Sequence, residues 1–104
     1  MNLQFTKQAR EEFLRIVSVF AEYAGARSAD KFIKRVSDQG EKLLKHPEIG
    51  HPEMLLANRK RKYRSISLNT NYYFIYYTTK TTIWIVDIIW DRRNNPAILA
   101  KRIK

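Results

Sequence analysis

The sequence predicts an α+β fold: an N-terminal strand, an antiparallel helical hairpin packed on a mainly antiparallel sheet in the order β-α-α-β-β-β, and a short C-terminal helix. Three observations predict it. Apolar side chains recur at three- and four-residue spacing through two stretches of the first half, the second half turns to Ile, Val, Tyr, Trp and Thr, and 104 residues suffice for one core. A single domain spanning residues 1–104 is expected, with no internal repeat, linker or low-complexity segment.

Leu3-Gln4-Phe5 alternates apolar and polar and predicts a short strand, with Thr6 as the N-cap of a helix. Ala9, Phe13, Ile16, Val17, Phe20 and Ala24 mark one face of that helix over residues 7–24, which Gly25 stops. Ser28 is expected to cap a second helix, whose stripe runs Ala29, Phe32, Ile33, Val36, Gly40, Leu43 and Leu44, with Lys45 near its end and Pro47 beyond. Gly40 costs such a helix about 1 kcal/mol relative to Ala, so a close neighbour is expected there.

Residues 46–58 hold two prolines and Gly50 without periodicity and predict a loop, leading to the basic run Arg59-Lys60-Arg61-Lys62-Tyr63-Arg64. Three strands are then expected over 63–68, 72–78 and 82–89, joined tightly enough to form an antiparallel meander. The last is apolar on both faces, as suits an interior or interface-forming strand. Asn95-Pro96 is a good helix start, with residues 97–103 as a short terminal helix.

Twenty Lys and Arg against ten Asp and Glu give a net charge of +10, which points to polyanionic or acidic partners. The charge is unevenly placed. Residues 1–53 carry nine basic and eight acidic side chains, whereas residues 54–104 carry eleven basic ones against Asp87 and Asp91. Binding is therefore expected in the second half. The absence of cysteine excludes disulfides, thiolate metal sites and thiol catalysis, and the opening residues lack the apolar stretch of a signal peptide or membrane span, so a cytoplasmic protein is expected. His46 and His51 flank Pro47 at no ligand spacing, and neither a metal nor a cofactor is expected.

The element order resembles the RelE/ParE toxin superfamily of type II toxin-antitoxin systems. Local matches are the Ala29-to-Phe32 start of the second helix, Leu44-Lys45-His46-Pro47-Glu48-Ile49-Gly50, the strand pair from Tyr63-Arg64 through Tyr76, and Asp91-Arg92-Arg93-Asn94-Asn95-Pro96. The resemblance implies a bacterial plasmid-stabilisation toxin held in a hetero-oligomer by a cognate antitoxin. Its target is DNA gyrase in the ParE branch and messenger RNA in the ribosome in the RelE branch.

RNA cleavage by attack of a 2′-hydroxyl needs a base, an acid and cations converging on one phosphate. Set against the RelE branch, Arg64 matches one strand lysine and Arg92 a cation after the last strand. Ile66 replaces a second lysine, Tyr73 an arginine and Ile98 the terminal tyrosine. The catalytic set looks dismantled, so the chain leans away from being an enzyme. If it is a nuclease, Arg64, Tyr73 and Arg92 are the candidates, with Glu48 or His51 as base.

The ParE branch needs only a gripping surface, and the 92–96 tail looks more like that branch. The expected function is therefore a ParE-like gyrase inhibitor neutralised by its antitoxin. Target contacts are expected from Arg92, Arg93, Trp90, Arg59, Arg61 and Arg64, with Trp84 as a further anchor. Each has a plainer reading: the 59–64 run as a charged edge against sheet pairing, and the two tryptophans as core. The third reading is a non-toxic RNA-binding module, in which the basic run lies beside stacking rings of Tyr63, Tyr72, Tyr73, Tyr76 and Tyr77.

Overall fold

A computed structural model describes residues 1–68, 70–90 and 96–103, the side chains of 96–98 excepted. The elements are β1 (Asn2–Phe5), α1 (Lys7–Ala24), α2 (Ala26–Lys45), β2 (His51–Pro52), a 3-10 turn (Met54–Leu56), β3 (Arg64–Ser67), β4 (Tyr72–Thr78), β5 (Thr82–Trp90) and α3 (Pro96–Arg102). The sheet order is β1-β5-β4-β3-β2. β1 runs parallel to β5, pairing Leu3 with Ile83 and Phe5 with Ile85, and the other neighbours are antiparallel. The predicted α+β architecture is thus present, with its one parallel pair made by the crossover through the helical hairpin.

Thr6 does what its position predicts and more. Its Oγ1 accepts the Ala9 N–H at 3.2 Å and donates to the Val86 carbonyl at 3.2 Å, so the cap of α1 is also fastened to β5. Gly25 alone joins the helices, with φ +89°, a value that favours glycine. Its carbonyl accepts the N–H groups of Ser28 and Ala29, so the first turn of α2 closes on Gly25 and Ser28 lies inside the helix, not at its cap. The close neighbour expected at Gly40 is Leu3: a Cβ there would come within 2.8 Å of Leu3 Cδ2.

Two apolar clusters lie on opposite faces of the sheet. The larger joins Ala9 and Ile16 of α1 and Phe32, Val36 and Leu43 of α2 to Phe74, Tyr76, Ile83, Ile85 and Ile88. The smaller gathers Leu56, Tyr63, Ile75, Ile89, Leu99 and Ile103, so the 3-10 turn and α3 cover the other face. β5 is interior, as its composition predicts. Its broken alternation has a second cause: Ile75 pairs with Asp87 but Tyr76 with Ile85, so Val86 is an extra residue that resets which side chains face the helices.

Two further expectations need correction. Residues 46–58 are not all loop, because His51–Pro52 pairs with β3 as the short outer strand and Met54–Leu56 forms the 3-10 turn. A two-residue strand containing proline is too short to show periodicity, and proline suits an edge. Trp90 is 53% exposed and is not core, while Trp84 is half-buried. Among the described residues no helix is long and apolar enough to cross a membrane.

Candidate target-binding surface

The surface around the basic run is built on one buried hydroxyl. Tyr76 is fully buried, yet its Oη reaches the 46–50 turn, donating to the Pro47 carbonyl at 3.0 Å and accepting the Gly50 N–H at 2.9 Å. Burial pushes its phenol above the ordinary value, against the opposing effects of the Gly50 hydrogen bond and the Arg64 charge. Only glycine fits at 50, since a Cβ would lie 2.5 Å from that hydroxyl and 2.8 Å from the Ser65 carbonyl. Arg64 locks the same turn from outside, donating to the Gly50 carbonyl at 2.7 Å and to that of Glu48 at 3.4 Å.

Further along, Arg59 donates to the Ala100 carbonyl at 2.8 Å and so ties the 3-10 turn to α3. Arg61 lies over the Tyr77 ring, 4.5 Å from its centroid, and Tyr63 meets the same ring edge-on. Lys60, Arg61 and Lys62 are exposed. A cleft of about 260 Å³ opens between Glu48, Arg61, Lys62, Arg64, Tyr77 and Thr78.

A second polar centre, for which the sequence predicts no role, fastens α3 on the far side. Asp87 is fully buried and accepts from Arg102 at 2.6 Å, from Gln8 at 3.0 Å and from the Ile88 N–H at 2.8 Å. Burial pushes its carboxyl up to about 6, and Arg102, the Ile88 N–H and Gln8 only partly oppose it. Arg102 also pairs with Glu12 at 3.3 Å. Burial alone would raise Glu12, but the Arg15 hydrogen bond and the Arg102 charge outweigh it and hold this carboxyl below its ordinary value. An aspartate amid Ile85-Val86-Ile88-Ile89 was the available signal.

The predicted nuclease positions are dispersed. Glu48 and Arg64 share the cleft, but Tyr73 pairs with Ser67 and Ile89 three residues along β4 from Tyr76, the partner of Arg64, roughly 10 Å away at strand spacing. Tyr73 packs beside the smaller cluster, and Ile66 beside the larger. His51 is exposed on β2, opposite Ser65. Arg92 and Arg93 lie outside the described residues, as does the side chain of Ile98.

Four of the five tyrosines of the predicted stacking platform are engaged within the protein. Tyr63 and Tyr76 are buried, and Tyr77 takes Arg61 and Tyr63. Tyr72 stands among Phe20, Phe32 and Trp90, with Trp90 at 5.1 Å. That last contact carries an aromatic column out from the core to the exposed indole.

The profile of a family described as the ParE toxin of the type II toxin-antitoxin system parDE matches residues 3–96. This chain belongs to the ParE toxin family. A solved structure described as the chromosomal ParDE TA system from P. aeruginosa has the same fold, with a TM-score of 0.70 at 18% identity, covering 86% of this chain and 95% of that one. No curated protein is significantly similar. The matched span runs from β1 to the start of α3, so most of both clusters and the whole basic run fall within the ParE toxin unit.

Proposed function

We propose that this ParE toxin acts in the cytoplasm by binding and poisoning DNA gyrase, not by cutting RNA, and that a cognate antitoxin restrains it. The observation that carries the reading is the state of Arg64, the strand cation retained from the RelE pattern within the described residues. Its Nη1 is tied to two backbone carbonyls of the 46–50 turn, which fixes where the guanidinium stands, and Tyr73 stands well away along β4. Transition-state stabilisation needs an acid, a base and cations converging on one phosphate, whereas here Arg64 is held by the 46–50 turn with Tyr73 out of reach. Exposed Trp90, backed by Tyr72, is instead the kind of rigid aromatic that anchors a protein interface, with Arg61 supplying charge nearby in sequence to the fixed Arg59 and Arg64.

The seat proposed for a partner that silences the toxin is an apolar groove at the sheet edge. Leu3, Phe5, Phe13, Ile33 and Val36 line an open groove of about 430 Å³ beside the outer edge of β1. An acidic segment with apolar side chains would cover it while being steered by the +10 charge. The test is supercoiling by purified gyrase with this chain added, alone and with Trp90→Ala or the paired Arg92→Glu and Arg93→Glu changes. Inhibition that the variants weaken by tenfold or more is expected; full inhibition by both variants, or none by the parent, contradicts the reading.

A further inference from the structure

We infer that the cleft between the basic run and the end of β4 is a second binding site, one that takes the phosphodiester backbone of duplex DNA. Three side chains around it are cationic, Arg61, Lys62 and Arg64, against one carboxylate, Glu48. Lys60 adjoins them in the chain, and none of Lys60, Arg61 and Lys62 has an ion-pair partner among the described residues. Arg61 is held over Tyr77 at 4.5 Å, which places its guanidinium at the cleft instead of leaving it free to swing. Arg64 contributes charge from a fixed position, because its Nη1 donates to the Gly50 and Glu48 carbonyls. The site volume of about 260 Å³ is ample for a phosphate group and too small for a run of unstacked bases.

The rings decide between duplex and single strand. A single-stranded ligand gains its affinity by stacking bases on free aromatic faces. Around this cleft those faces are used: Tyr77 carries Arg61 and meets Tyr63, and Tyr63 and Tyr76 are buried. What remains is charge without stacking, which reads backbone density, and duplex DNA presents that most strongly. The biological setting, DNA held by gyrase, rests on the proposed gyrase inhibition: the toxin would meet enzyme and DNA together, with the cleft gripping the nucleic acid. DNA binding itself needs no gyrase.

The experiment therefore leaves gyrase out. The purified chain is titrated onto a short fluorescent duplex at several salt concentrations, followed by anisotropy, beside single-stranded RNA of equal length. Affinity for the duplex should fall with a log–log salt slope of at least about −2, each phosphate contact contributing roughly −0.9. Replacing both Arg61→Ala and Lys62→Ala should flatten the slope by about 2 and weaken low-salt binding tenfold or more, while circular dichroism stays that of the parent. An unchanged slope in the double variant, no binding at low salt, or tighter binding to RNA than to the duplex at every salt would overturn the assignment. Supercoiling inhibition is scored separately on the parent chain. Inhibition without DNA binding removes this site and leaves the gyrase reading, and DNA binding without inhibition does the reverse.

Discussion

The two faces of the sheet are built for different purposes. On one, two helices of 18 and 20 residues bury Phe32, Leu43, Phe74, Ile83, Ile85 and Ile88. On the other, a three-residue turn and a seven-residue helix cover a smaller cluster and are held as much by polar ties, Arg59 to Ala100 and Arg102 to Asp87, as by apolar contact. The basic run comes just after that turn in the chain, and its Tyr63 packs in the smaller cluster. Stability is concentrated in the helical hairpin, while the basic cleft proposed to meet DNA is carried by segments whose attachment is easier to alter; Trp90, the proposed gyrase anchor, stands instead on the aromatic column of the larger cluster.

Mutations should separate the two faces. Phe74→Ala empties the centre of the larger cluster and is expected to cost about 3–5 kcal/mol in denaturant unfolding, a large share of the total stability of a domain this size. Leu99→Ala should cost less, about 2–3 kcal/mol, and hydrogen exchange should quicken in α3 and the 3-10 turn while α1 and α2 keep their protection. Equal losses across both faces would break the comparison.

Two glycines sharpen it. Gly50→Ala drives a methyl into the Tyr76 hydroxyl and the Ser65 carbonyl and should destabilise by about 1–3 kcal/mol. Gly40→Ala meets only the tip of Leu3, and the gain of about 1 kcal/mol in helix propensity offsets the crowding, so the unfolding midpoint should barely move. A costly Gly40→Ala with a harmless Gly50→Ala would show the packing to be misassigned.

A pH dependence carried by Asp87 is also expected. Its folded-state carboxyl stands at about 6 against an ordinary 3.8, so the folded state binds this proton more tightly than the unfolded one. Its contribution to stability therefore grows as pH falls from above 6 toward the ordinary value, by about 3 kcal/mol at most. Glu12 runs the other way, its stabilising contribution lost as pH falls through its lowered value. Comparing the parent with Asp87→Asn in urea at pH 7.5 and 5.5 isolates the first: the parent should gain on the variant at the lower pH, and a loss would contradict the burial argument.

Much of the fold was legible because its signals are periodic or local. The stripe from Ala9 to Ala24 and the Thr6 cap specify α1 directly, and Gly40 announced the approach of Leu3. What escaped depends on contacts distant in the chain. The start of α2 is set by Gly25, whose left-handed backbone can both end one helix and begin the next, so Ser28 misled. β2 exists only because Arg64 and Ser65 lie beside it. The site was less legible still. The charge asymmetry located the basic run, but nothing in the sequence says that Arg64 Nη1 is tied to the 46–50 turn, that Tyr77 carries Arg61, or that Asp87 meets Gln8 and Arg102 across 79 and 15 residues of chain.

Stopping DNA metabolism, not translation, is the action proposed for this ParE toxin. It is tested most directly by pulse labelling of DNA and protein synthesis in cells just after the chain is induced without its partner. DNA synthesis should fall first, with protein synthesis declining later. A fall in protein synthesis while DNA synthesis continues would contradict it and return Arg64, Tyr73 and Arg92 to the centre of the mechanism.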